Sequence, residues 1–489
     1  MGTLKRAAKN YFVNFMSHSW CTITDVVAMG LLARYLSSEQ FGTYAFVSAF
    51  VATFRMISSM GIPTIITRDL AINKEKGPDI LTAGIGIQLL LSLLTIVITT
   101  GGVFLFYFDR KVILIAFFAT LAVVFQFLSH LFESIPRAYE KMEYEALENF
   151  ITQGFLLGLT FLAIKLGYGL AGIFIYMALS RFIGLLYISW IVLKKFVRPR
   201  LSWKPDVWKY LILEGYPIGL RRLIRQIAVR IDTMILAAIR SNTEVGLFHG
   251  VYKIVQGLMG IGESAANAVF PVISKYYGNS KEKFDLAYEQ SLKLLIIVGA
   301  FLGIFLFVFS EDILVLILGK KFIPAVVVLQ IFSPVVLLMF LTKLTERVMI
   351  SGQRQKLATA VVVVTLMVNV GADFLLIPKY GIIGAAIATL IAEIILIALS
   401  FYYIYKEITS FPIYGLITKS FIAYGVGCFI AWILNAAINP IACFIIGIIS
   451  FMTLLFIFQI ISYPEYTLVK MIFTKKTLKV TKRVTKTKG

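Results

Sequence analysis

Charged side chains recur at helical spacing inside long apolar stretches of this sequence. In residues 210–239, Glu214, Arg221, Arg225 and Asp232 fall within about 40° of one another on a helix of 100° per residue, with Arg222 beside them and Arg230 opposite. In 112–135 and just beyond it, Gln126, His130, Glu133 and Arg137 fall within about 60°. Other stretches add Asp25, Arg55, His249, Lys253, Lys343, Glu346 and Asp373. A charge among lipid tails is costly, so these faces must line a cavity or meet other protein. The set is mainly cationic, and guanidinium forks bind phosphate oxygens two at a time where water competes poorly. Arg55, His130, Arg221, Arg222, Arg225, Lys253 and Lys343 are therefore candidate contacts for a phosphate-bearing ligand. The acids Asp25, Glu133, Asp232, Glu346 and Asp373 are candidates to take a coupling ion, H⁺ or Na⁺, with Asp25 and Glu133 first. The bland alternative is that Glu214 with Arg221, and Arg225 with Asp232, merely neutralise each other. Arg34 and Arg240, at the ends of apolar stretches, are expected to snorkel to headgroups. Pro217, inside Gly215-x-x-x-Gly219, is expected to break its helix near the charged face.

The elements that carry these residues are membrane helices. With 489 residues, 59% of them hydrophobic and 15% charged, and a mean hydropathy of +0.86, the chain is no water-soluble globule. Crossing about 30 Å of hydrocarbon takes about 20 residues. Runs long enough lie at 10–33, 41–64, 80–108, 112–135, 147–164, 169–193 and 210–239. Seven more lie at 246–273, 290–310, 322–350, 358–377, 381–405, 412–436 and 441–463, making fourteen. With the N-terminus inside, the inside segments carry 28 Lys or Arg and the outside loops 8, which places both termini in the cytoplasm. The short loops leave no room for a catalytic or nucleotide-binding domain, and no phosphate-loop motif exists. Cys21, Cys428 and Cys443 have no spacing for disulfides or zinc, so no metal or other cofactor is expected. The net charge of +21 reads as inside-loop charge rather than a nucleic-acid surface, and the basic tail at 466–489 as an arm drawn to the anionic inner leaflet.

The chain also echoes itself. A shift of 213 lays Glu133 over Glu346, 212 lays Tyr168-Gly169-x-x-Gly172 over Tyr380-Gly381-x-x-Gly384, and 204 lays Phe41-Gly42-x-Tyr44 over Val245-Gly246-x-Phe248. Halves of six spans each run in the same sense, a pattern typical of alternating-access transporters with the ligand site between the halves. The expected division is 1–205 and 206–410 as six-helix lobes, 411–465 as two additional helices, and 466–489 as the cytoplasmic tail.

The stretch Leu32-Ala33-Arg34-Tyr35-Leu36-x-x-Glu39-x-Phe41-Gly42-x-Tyr44, followed by Ser59-Met60-Gly61-Ile62-Pro63, resembles the polysaccharide-export branch of the multidrug/oligosaccharidyl-lipid/polysaccharide exporter superfamily. So do Tyr216-Pro217, Arg230-x-Asp232, Glu244-x-Gly246-x-Phe248, Phe270-Pro271, Gly352-Gln353-Arg354 and the Tyr380 to Thr389 segment. The resemblance implies an all-α plasma-membrane protein whose two six-helix lobes form a V-shaped central cavity. It implies flipping of polyprenyl-diphosphate-linked oligosaccharides for cell-envelope polysaccharide assembly, as O-antigen flippases do, with the bilayer and an envelope polymerase and its assembly proteins as partners. A cation-coupled multidrug exporter of the same superfamily is the alternative, though its cavity should favour acidic and aromatic side chains. An envelope polymerase or glycosyltransferase would need a sizeable loop with paired carboxylates, which the short loops do not supply.

Overall fold

The computed structural model describes residues 3–106, 109–200, 204–277, 280–352, 354–409, 413–435 and 438–460, so the basic tail lies outside the described residues. These residues form fifteen α-helices and no strand. In order they are α1 (Thr3–Tyr35), α2 (Ser38–Ser59), α3 (Ile62–Ile72), α4 (Gly77–Phe106), α5 (Arg110–Ala138), α6 (Glu143–Leu166), α7 (Gly169–Lys195) and α8 (Pro205–Ile239). Then come α9 (Asn242–Tyr276), α10 (Lys281–Val308), α11 (Ser310–Ile317), α12 (Val326–Ser351), α13 (Gln355–Glu407), α14 (Ile413–Leu434) and α15 (Pro440–Ile457). Ten helical segments among the described residues are long and apolar enough to cross a membrane. This is a multi-pass membrane protein. The difference from fourteen falls on α1, α8 and α9, whose polar side chains dilute their hydropathy, and on α13, which runs through a non-helical Gly381 as one element.

Two compact units emerge. One comprises Met1–Ile254, Leu314–Ala325 and Val370–Ala385; the other comprises Val255–Ile313, Val326–Asn369 and Ala386–Gly489. In the first unit, Ser37 opens α2 with a capping box, its Oγ accepting from the Gln40 N–H while the Gln40 side chain accepts from the Ser37 N–H, both at 3.2 Å. Such a cap contributes about 1 kcal/mol. The chain turns at Met60 (φ 38°) and Gly61 (φ 75°), and Pro63 sits in the first turn of α3, where its missing N–H costs nothing. This elbow rests on α8: a Cβ on Gly61 would stand 2.7 Å from the Gly215 carbonyl oxygen, and one on Gly219 would stand 2.5 Å from the Met60 Cα. Small residues bring the two backbones together, which is how helices gain packing where lipid is as apolar as they are. The expected break at Pro217 is absent, since α8 is continuous from Pro205 to Ile239. The break lies instead in the partner helix, where Gly61 supplies the left-handed backbone. Ile62 and Ile65 of α3, Leu81 and Ile87 of α4, Leu131 and Ile135 of α5, Ile188 of α7 and Leu211 of α8 then fill the core beneath the elbow.

In the second unit, α14 and α15 meet through Gly427 and Gly447, where an added Cβ on Gly427 would stand 2.9 Å from the Gly447 oxygen. Tyr424 of α14 shares a 2.8 Å hydrogen bond with Ser333 of α12.

The sequence echo reappears in the helix bounds. Ser38 and Asn242 open α2 and α9, and Gly77 and Lys281 open α4 and α10, each pair 204 apart. Ala138 and Ser351 end α5 and α12, 213 apart. Gly169 and Gly381, 212 apart, both take positive φ, at 60° and 57°. Gly42 of α2 and Gly246 of α9, counterparts at offset 204, touch: a Cβ on Gly246 would stand 2.9 Å from the Gly42 nitrogen.

Candidate functional site

Within the first unit, α2, α5 and α8 border an open cavity of about 420 Å³ lined by Arg55, Met56, Gln126, Phe127, His130, Arg222, Gln226 and Val229. Three expected ligand contacts, Arg55, His130 and Arg222, thus meet at one cavity. The His130 ring stands edge-on to Phe127, with centroids 5.2 Å apart, and Arg222 donates to Thr64 Oγ1 at 3.2 Å. Arg55 is within electrostatic reach of Arg181 on α7 and Arg230 on α8. Lys253 on α9 is within reach of Arg55, Arg230 and Asp25. The buried Nε atoms of Arg55 and Arg230 have no hydrogen-bond acceptor among the described residues. Donors of this kind, in a setting of low dielectric, attract an anion strongly.

The other expected residues divide. The side chains of Arg221 and Arg225 lie outside the described residues, although α8 carries both. Glu214 is paired with Arg68 of α3 at 3.1 Å, and Tyr210 accepts from the same guanidinium at 2.7 Å. Lys343 and Glu346 sit on α12 in the second unit. Lys343 lies within electrostatic reach of Glu393, whose carboxylate accepts from Thr342 at 3.2 Å, while Glu346 is half-buried. Asp25 accepts from Gln153 at 3.2 Å. Asp232 and Asp373 are both buried and within electrostatic reach of each other. Glu133 is buried and tied to Arg137 at 2.7 Å; Arg137 in turn grips Glu145 through two hydrogen bonds of 2.6 Å. The Glu133 carboxyl is also within hydrogen-bonding reach of Glu148, which accepts from Thr152 at 2.8 Å.

Arg34 and Arg240 both engage backbone carbonyls. Arg34 donates to the Leu316 carbonyl, and Arg240 donates to the Ile377 and Pro378 carbonyls at 3.1 Å each. A helix ending near an arginine offers carbonyls without helical partners, and these accept from the guanidinium groups. Arg181 and Glu148 escaped the sequence reading as site residues. The only signal for Arg181 was a lone basic residue in the middle of an apolar run, and Glu148 lay at the edge of its run, where acids are ordinary.

The sequence pattern of a family described as polysaccharide biosynthesis protein matches residues 7–277, more than half of the chain, and this protein belongs to that family. The MatE pattern matches residues 217–375. The chain is 26% identical to a Haloferax volcanii protein named "Probable low-salt glycan biosynthesis flippase Agl15", over 32% of this chain and 34% of that one. It is 21% identical to the capsular polysaccharide biosynthesis protein CapF of Staphylococcus aureus, over 82% of this chain and 99% of that one. In fold it resembles the lipid II flippase MurJ in an inward closed conformation, with a TM-score of 0.72 and 17% identity, covering 92% of this chain and 98% of that one.

Proposed function

We propose that this protein is a flippase, a transporter and not an enzyme, that carries polyprenyl-diphosphate-linked oligosaccharides from the cytoplasmic to the outer leaflet of the plasma membrane for cell-envelope polysaccharide assembly. The observation that carries this reading is the cationic cavity, where Arg55, His130 and Arg222 converge and the buried Arg55 Nε has no acceptor among the described residues. A diphosphate supplies the acceptors such donors lack. The family and the names of its relatives agree with that chemistry. Both termini are read as cytoplasmic. The chain is read as crossing fourteen times in two six-helix lobes plus two C-terminal helices, because α1, α8 and α9 are each over 30 residues long and α13 divides at Gly381. Ion coupling, by H⁺ or Na⁺, is assigned to the acids Asp25, Glu133, Asp232, Glu346 and Asp373, with Asp25 and Glu133 first. The MatE match favours a multidrug exporter as the second reading, but a cavity rich in arginine repels cationic drugs.

The test is transport of a fluorescent lipid-linked oligosaccharide in vesicles containing the purified protein. Truncating a hydrogen-bonded charge costs about 1.5–3 kcal/mol, so Arg55→Ala lowers transport roughly 10- to 100-fold while membrane insertion stays normal. Arg55→Lys restores only part, because a point charge cannot replace the fork. Wild-type transport by the alanine variant overturns the reading.

A further inference from the structure

The cationic cavity accounts for a charged head and leaves an isoprenoid tail without a seat. A second cleft, of about 170 Å³, lies in the same unit, and every side chain lining it is apolar. Its floor is buried, with Ile62 and Ile87 only 1% and 3% exposed. Its rim is open, with Leu90 of α4 61% exposed and Ile212 of α8 44% exposed. Trp208 closes one end, its indole packed so tightly on α4 that a Cβ on Gly86 would stand 2.5 Å from the ring.

The cleft and the cavity share two helices. Met60, just past the end of α2, lines the cleft, and Met56, one helical turn earlier, lines the cavity. On α8, Ile212 lines the cleft and Arg222 the cavity, roughly 15 Å apart along the axis at 1.5 Å per residue. The elbow at Met60 and Gly61 therefore stands beside a wholly apolar space on one side and a cationic one on the other. The cleft is too small for a whole ligand, for which pockets of about 300–1,000 Å³ are usual. It suits one section of a narrow hydrocarbon chain whose remainder lies in lipid.

We propose that this cleft seats the isoprene units nearest the diphosphate of the transported lipid while the diphosphate occupies the cationic cavity, so that α2 and α8 grip the substrate across its polar to apolar junction. This rests on the flippase reading above. It makes α4 and α8 a selector for prenyl chains, distinct from the residues that hold phosphate.

The experiment uses the full chain in nanodiscs with a prenyl diphosphate bearing a diazirine on its first isoprene unit. Illumination should label Leu90, Leu91 or Ile212, and unlabelled prenyl diphosphate should compete. Leu90→Trp fills the rim at an exposed position, so it should cut labelling about tenfold, the loss expected when roughly two buried methylene groups are excluded. The same variant should bind inorganic pyrophosphate as wild type does, whereas Arg55→Ala should lose that binding. Normal pyrophosphate binding with no label in the cleft overturns the tail assignment alone. Labelling of the cleft by a diazirine phospholipid that prenyl diphosphate does not displace also overturns it, since the occupant is then an ordinary acyl chain. A wild-type protein that binds neither probe overturns the flippase reading and this inference together.

Discussion

The α5 to α7 segment and its repeat counterpart, α12 with α13, share helix bounds and a left-handed glycine at the same place, yet they use charge differently. In the first, the buried Glu133 and Glu148 and the half-buried Arg137 and Glu145 form a knot one turn from His130, which lines the cavity. In the second, the positions of His130 and Glu133 hold Lys343 and Glu346, with Lys343 near Glu393 and the neighbouring guanidinium of Arg347 3.7 Å from Glu263. The backbone plan is kept while the side-chain chemistry has separated. One half-frame therefore does not reveal what the other half does.

The largest effect should expose that separation directly. Arg137→Leu strands two acids, one of them fully buried, and breaking a buried pair costs about 3–5 kcal/mol. Lys343→Leu should cost about 1 kcal/mol or less. Thermal unfolding in detergent measures both, and equal losses would mean that the two segments carry charge alike. The next effect concerns coupling, where the potential contributes about 2.3 kcal/mol per charge per 100 mV. Glu133→Gln should abolish the response of transport to imposed pH or Na⁺ gradients, and Glu346→Gln should leave it intact. Vesicles of the Glu133 variant that respond as wild type do would move coupling to another acid.

The smallest effect lies in the glycines. Alanine in a left-handed conformation costs about 1–2 kcal/mol, which is all that Gly169→Ala should lose, since nothing stands within 4 Å of its added Cβ. Gly381→Ala should lose more, because the Glu244 carboxylate and Arg240 crowd that site. Equal unfolding temperatures for the two variants would mean that the Arg240 and Glu244 side chains, 3.8 Å apart, do not restrict Gly381.

Much of this was legible in the sequence. Charges at helical spacing in α5 and α8, with the single charge Arg55 in α2, pointed to a polar interior, and the glycine echoes pointed to a repeat. Hydropathy alone does not single out α1, α8 and α9, because the polar side chains along them lower it. The elbow was misplaced for a different reason. Proline invites the expectation of a break, but neighbouring helices can accommodate Pro217 within a continuous α8, whereas Met60 and Gly61 take a backbone that only their contact with Gly215 and Gly219 makes evident. Arg181 stayed hidden because its partners come from other helices, and no periodicity in α7 points to them.

The touching pair Gly42 and Gly246 has an evolutionary reading. A residue that packs against its own counterpart is what a two-fold interface between identical subunits produces. Within one chain the contact still behaves as a single site: a side chain at Gly246 collides with the Gly42 backbone, one at Gly42 collides with the Asn242 backbone a turn earlier on α9, and a second replacement adds less than the first. The two positions are therefore expected to remain small together in every descendant that keeps this contact, however far the rest of the two halves diverges.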